Sequence, residues 1–121
     1  MNLTHLTALE LGRAIASGDV TIPQATQAAL EEITRRDQRL NSCITVLAEQ
    51  AMERAEDLQK GLKPGLSPLY GVPLLLKDNL CTQGVKTTCG SKLLEGYVPP
   101  YDATVVEKVQ TAGGVCLGKG N

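Results

Sequence analysis

The run Tyr70-Gly71-Val72-Pro73-Leu74-Leu75-Leu76-Lys77-Asp78-Asn79 constrains the fold of this chain more than any other stretch. Four apolar side chains surround one proline and lead directly into a lysine and a turn pair. Val72 to Leu76 is too short for a helix and apolar on both faces, so it reads as a strand buried from both sides, as in a mostly parallel sheet. Pro73 fits only at the first residues of such a strand, where no ladder hydrogen bond is lost. Lys77 then stands at the carboxyl end, where open α/β sheets place their ligands and chemistry. Two readings of it follow. Against an apolar wall a lysine can lose its charge and act as a base. At an open strand end it simply reaches into solvent along its own methylene stem.

The material available for a core narrows the fold further. Tyr70, Tyr97 and Tyr101 are the only aromatic residues, with no Phe and no Trp, so the interior must be built from Leu, Val, Ile and Ala. That is thin for an independent domain of 121 residues, because aromatics normally supply much of the buried area. Lys and Arg number 12 against 13 Asp and Glu, a balance with no electrostatic footprint for direct nucleic-acid binding. No apolar run approaches membrane-spanning length, and Met1 to His5 lacks the charged and apolar regions of a signal peptide, which makes a cytoplasmic protein the expectation. Cys43, Cys81, Cys89 and Cys116 show no Cys-x-x-Cys spacing and the single histidine is His5, so no metal site is expected. Reduced, mostly buried thiols are the expectation, with His5 on the surface.

The first half reads as helical. Thr7 and Glu10 have the spacing of a capping box, Leu6 and Leu11 that of a hydrophobic staple, and Gly18 ends the helix as a left-handed residue. Thr21 and Gln24 repeat the box, with Pro23 in the first turn, where its missing N–H costs nothing. Ile22, Ala25, Ala29, Ile33 and Leu40 follow on one face. The mixed charges Glu31, Glu32, Arg35, Arg36 and Arg39 make a solvated surface. Cys43 to Leu47 is short and β-prone. Ala48 to Lys60 returns to helix, with Ala51, Met52, Ala55 and Leu58 on one side and Gly61 as its stop. Leu62 to Leu69, rich in Pro, Gly and Ser, then separates this half from the strand-containing one as a boundary between layers of one domain.

After Lys77 the passage Asp78 to Pro100 is irregular, with room for one helical turn at Ser91 to Glu95. Long ordered loops in compact domains are usually functional. Asp102 is placed to cap a helix through Val105, Val106 and Val109 to Ala112, ended by Gly113-Gly114. Val115-Cys116-Leu117 reads as a second buried strand. Strand, crossover helix and strand in that order imply a right-handed parallel unit. Gly113, Gly118 and Lys119 match the spacing of a phosphate-binding loop. Position 120 is Gly, however, and carries no hydroxyl for Mg²⁺, and the glycines end a helix instead of opening one.

Gly71-Val72-Pro73-Leu74-Leu75-Leu76-Lys77-Asp78-Asn79, followed by Gly84-Val85-Lys86-Thr87-Thr88-Cys89-Gly90-Ser91, strongly resembles the amidase signature family. Tyr101-Asp102-Ala103-Thr104-Val105-Val106 and the stretch from Ala112-Gly113-Gly114 through Gly118-Lys119-Gly120-Asn121 continue the resemblance in register. Within the family the chain looks most like the A subunits of the glutamyl-tRNA(Gln)/aspartyl-tRNA(Asn) amidotransferases. The resemblance implies an α/β fold: the N-terminal part of the α/β/α amidase signature fold, with a helical N-terminus followed by part of a mixed, largely parallel sheet. Residues 1–61 would be the helical part and 70–121 the start of the core.

It also implies chemistry. Family members hydrolyse amides with a serine, a second serine and a lysine, and Lys77 matches the lysine, which makes it the one catalytic residue expected in this chain; no substrate-binding residue is assigned. The two serines match none of Ser17, Ser42, Ser67 and Ser91, so the chain by itself is expected to lack a nucleophile. Gly120 stands where the family usually has threonine. The implied activity is release of ammonia from glutamine for transfer to Glu-tRNA(Gln), in an ATP-dependent complex with subunits B and C. ATP and Mg²⁺ would be used by the partner subunit, tRNA would be met through the complex, and no cofactor is bound here. A stand-alone amidase and a non-catalytic truncated product are the alternatives.

Overall fold

A computed structural model describes residues 2–121. Its elements are α1 (Ala8–Ser17), α2 (Ile22–Leu40), β1 (Cys43–Val46), α3 (Ala48–Lys60), β2 (Pro73–Lys77), α4 (Thr104–Thr111) and β3 (Val115–Gly120), with short 3₁₀ turns at Leu3–His5 and Lys92–Leu94. Both capping boxes form. The Glu10 amide donates to Thr7 Oγ1 at 3.2 Å and the Thr7 amide to the Glu10 carboxylate at 2.8 Å. At α2 the Gln24 and Thr21 amides do the same at 3.2 and 2.9 Å. Each box satisfies two donors that a helix start would leave open. Gly18 ends α1 at φ +85°.

The three strands make one mixed sheet in the order β1-β3-β2, with β2 parallel and β1 antiparallel to β3. The helix α4 is the crossover between the parallel pair, as the strand–helix–strand pattern predicts. Where β3 runs between its neighbours the ladder is irregular. Leu74 pairs with Cys116 but Leu75 with Gly118, which leaves Leu117 as an extra residue. Its carbonyl instead accepts the Leu47 amide at 2.8 Å. A side chain at Gly118 would put its Cβ 2.1 Å from the Thr45 carbonyl oxygen, so the approach of β1 to β3 requires glycine there.

The core is aliphatic throughout. Leu11 and Ile15 of α1, Ile22, Ala25 and Leu30 of α2, and Ala51 and Ala55 of α3 pack with Val72, Val115 and Leu117 from the sheet region. Leu6 packs, partly buried, against the cluster that contains Leu11. The one aromatic residue against this cluster is Tyr70, whose hydroxyl donates to the Leu58 carbonyl at 2.7 Å. Its ring lies over Gly113, where φ is +91° and a Cβ would come within 2.4 Å of the ring.

Four sequence expectations need correction. The Val72–Leu76 stretch is not covered on both sides: β2 is an edge strand, and Leu75, which borders an open groove, is 40% exposed. Asp102 does not cap α4. Ala103 occupies that position without a side-chain bond, and the Asp102 carboxylate accepts the Gln83 amide at 2.7 Å, pinning the long loop instead. None of the four free thiols is fully buried, and Cys89 is exposed. Leu40 is exposed rather than part of the buried face of α2.

Candidate active site

Lys77 is the last residue of β2 and pairs with Gly120, the last residue of β3. The Asp78 amide donates to the Gly120 carbonyl at 2.8 Å and the Asn121 amide to the Ser42 carbonyl at 2.8 Å. The carboxyl ends of the two parallel strands and the start of β1 therefore meet at one edge. A cavity of about 40 Å³ at this edge is lined by Lys77, Asn79, Cys89, Gly90, Gly120 and Asn121, with Ile44 and Asp78. A wider cleft of about 460 Å³ shares Ile44, Gly90 and Asn121 with it and adds polar groups from Lys86, Thr88, Ser91, Lys92 and Glu95. Lys77 itself is exposed, and no ion pair engages it among the described residues. No apolar wall encloses it among the described residues.

The buried lysine is a different one. Lys119 is 0% exposed and donates to the Leu80 carbonyl at 2.7 Å, Thr82 Oγ1 at 2.8 Å and Thr87 Oγ1 at 3.1 Å. An ammonium group has three protons, and these three acceptors use all of them. Asp78, 2% exposed, lies beside it with Oδ1 3.7 Å from Nζ. That oxygen accepts no hydrogen bond among the described residues, so its compensation is Coulombic. The other carboxylate oxygen accepts the Thr88 amide at 2.9 Å and the Thr88 hydroxyl at 2.5 Å. The Cys89 amide donates to the Asp78 carbonyl at 2.9 Å, and both Cys89 and Gly90 take positive φ, +53° and +69°. These bonds turn the chain sharply against the end of β2.

Sequence reasoning misses Lys119, because the spacing around it suggests only a phosphate loop. Burial of Nζ excludes that use, and the strand expected over Val115–Leu117 continues through Lys119 to Gly120. A lysine set between glycines in a buried strand is the available signal. Of the four serines, Ser42 donates to Asp37, Ser67 accepts the Leu69 amide, and Ser91 caps the 3₁₀ turn by accepting the Leu93 amide at 3.3 Å. Ser17 lies at the end of α1, bonded to Ala14 and Asp19. None is held beside Lys77 as a relay partner. His5 is exposed.

The model of the amidase family matches residues 24–121. The chain belongs to that family. It is 42% identical over its whole length to the A subunit of the glutamyl-tRNA(Gln) amidotransferase of Lachnoclostridium phytofermentans. Over 95% of its length it is 49% identical to the corresponding subunit of Chromohalobacter salexigens. It spans about a quarter of the length of these relatives, 25% and 24% respectively. Among solved structures, the peptide amidase of Stenotrophomonas maltophilia superposes with a TM-score of 0.88 at 34% identity, over 97% of this chain and 25% of that one. A fatty acid amide hydrolase superposes at 0.90 with 21% identity, over 98% and 21%, a likeness of fold alone. This family member therefore has the α/β fold of amidase signature enzymes, and no helix of the described residues is long and apolar enough to cross a membrane.

Proposed function

We propose that this chain is the lysine-bearing N-terminal part of a glutaminase subunit in a tRNA-dependent amidotransferase. The observation that carries the reading is Lys77 at the carboxyl end of β2, lining a small cavity with Asn79, Cys89 and Asn121, in a sequence above 40% identical to amidotransferase A subunits. Residues 1–61 are its mainly helical part, which also lends β1 to the sheet, and 70–121 the start of its catalytic core. In the reaction, the neutral Lys77 amine takes a proton through one serine hydroxyl from a second serine, whose oxygen attacks the carboxamide carbon of glutamine. The C–N bond breaks, ammonia leaves with the proton returned along the relay, and water releases glutamate from the acyl-serine. Neither serine is matched among the 121 residues, so this chain alone carries the base without the nucleophile. Glu-tRNA(Gln) receives the ammonia in the complex with subunits B and C, where ATP and Mg²⁺ belong to the partner subunit.

The test uses the protein expressed from its complete reading frame together with subunits B and C. Lys77→Ala should abolish glutamine hydrolysis yet leave amidation of Glu-tRNA(Gln) from free ammonia unchanged. Undiminished glutaminase activity in that variant would overturn the reading. A second reading, a stand-alone amidase, is favoured by the close superposition on the peptide amidase. Purification without B and C, together with hydrolysis of simple peptide amides, would select it. The 121-residue chain alone should hydrolyse no glutamine and take no label from serine-directed acylating reagents.

A further inference from the structure

We propose that Lys119 is a positioning residue for the amide-hydrolysing site, acting through Asp78 and the loop that follows Lys77. The proposal rests on the reading of Lys77 as the proton-accepting residue. Lys119 is wholly buried, and nothing in the chemistry assigned to Lys77 uses it. Its three protons are spent on three points of one loop, the carbonyl of Leu80 and the hydroxyls of Thr82 and Thr87. Its charge is spent on Asp78, the residue directly after Lys77. Asp78 in turn holds Thr88 by amide and hydroxyl, and its carbonyl holds the Cys89 amide.

One cation thus ties the outgoing limb of the loop at 80–82 to the returning limb at 87–89. Lys77 is fixed in the opposite direction by the ladder to Gly120, which adjoins Lys119 in β3. The Lys77 backbone is therefore clamped between two consequences of the same strand. Cys89 and Gly90, which line the small cavity with Lys77, are placed by the same bonds. A buried lysine is an expensive way to anchor a loop, since its charge must be compensated at every proton. An apolar residue would fill the space but could not reach three oxygens at once, so the geometry points to a demand for placement and not only for packing. The phosphate-loop spacing around Lys119 has this internal explanation: the ammonium is directed at the protein's own oxygens.

The test measures glutamine hydrolysis by the protein from its complete reading frame, in complex with its partner subunits. Active sites are counted with an acylating reagent so that turnover is read per competent site. Lys119→Met should lower kcat per counted site by about 100-fold with little change in KM, the size expected when a reacting group is misplaced by about 1 Å. Thr82→Val, which removes one acceptor while keeping shape, should lower kcat about tenfold, and Thr82→Ser should restore it. If Lys119→Met does not fold, the Thr82 pair decides the matter. A merely structural role would reduce the fraction of countable sites and leave kcat per site at the parent value in Lys119→Met and Thr82→Val alike, and that result overturns the proposal. Failure of the underlying reading looks different: Lys77→Ala would retain turnover, or the unsubstituted protein would have none, and the proposal falls with it.

Discussion

At the scale of single residues, the site is built by opposite treatment of two lysines. Lys77 is exposed at a strand end, whereas Lys119 is enclosed and bonded at every proton. The carboxylate between them belongs electrostatically to the buried one. Asp78→Ala should therefore destabilise the fold by about 3–5 kcal/mol, because it leaves an uncompensated ammonium inside. Urea unfolding followed by circular dichroism measures this, and a loss below about 1 kcal/mol would place the ion pair in the class of exposed ones. The thiols divide in the same way. Burial pushes the Cys43 and Cys116 thiols up, which disfavours the reactive thiolate, while Cys89 is exposed beside the cavity. Iodoacetamide should modify Cys89 before Cys116, as read by mass spectrometry of a time course.

At the scale of elements, the helices are fixed by their ends and by the joint from α2 to β1. Thr21→Ala removes the hydroxyl that caps α2 and should cost about 1 kcal/mol in thermal or urea unfolding. Within the same helix Thr26 is wholly buried and its hydroxyl has no partner among the described residues. Thr26→Val keeps the shape and removes the unsatisfied group, so stability should be unchanged or rise by up to about 1 kcal/mol. At the other end Asn41 turns the chain at φ +52°, and Asp37 accepts the Ser42 hydroxyl and the amides of Ser42 and Cys43. Those bonds, the Ser42 hydroxyl foremost, hold the Asp37 carboxyl below its ordinary value. A depressed acid stabilises the fold above its unfolded pKa, about 3.9, and that contribution is lost as pH falls through the lower folded value. Asp37→Asn should accordingly be less stable than the parent above about pH 4, and the gap should close on further acidification.

At the scale of the whole molecule, both outer strands of the sheet, β1 and β2, are unpaired on one side. The strand β2 has a neighbour on one side only, and Pro73 and Leu75 border an apolar groove of about 430 Å³ shared with Leu3, Leu6, Leu11, Ala25 and Ile33. The groove is also lined by Glu32, Arg36, Asp37, Ser42 and Cys43, and Lys77 lines the smaller cavity and not this groove. An unpaired, apolar strand edge is a template for association. Expressed as these 121 residues, the chain should associate at micromolar concentration, and Leu75→Lys should shift it towards monomer in analytical ultracentrifugation. Cooperative unfolding of a soluble monomer well above mesophile norms would contradict this, since an aliphatic core of this size has little reserve.

What the sequence by itself determined were the features decided within a few residues of chain. The two capping boxes, Gly18, the Ala48–Lys60 helix and the turn at Ser91 follow from hydrogen bonds between near neighbours. The parallel pairing of Val72–Leu76 with Val115–Leu117 follows from the handedness of a strand–helix–strand unit, and with it the place of Lys77 at a strand's carboxyl end. Tertiary structure decided the rest. Whether Leu75 is covered depends on what lies over β2. Asp102 serves Gln83 and not α4 because the loop returns to meet it. The extra residue Leu117 breaks the alternation of β3, so no count of odd and even positions could say that Lys119 turns inward. Its burial rests on acceptors 32 to 39 residues away, whose convergence is a property of the folded loop and not of any local pattern.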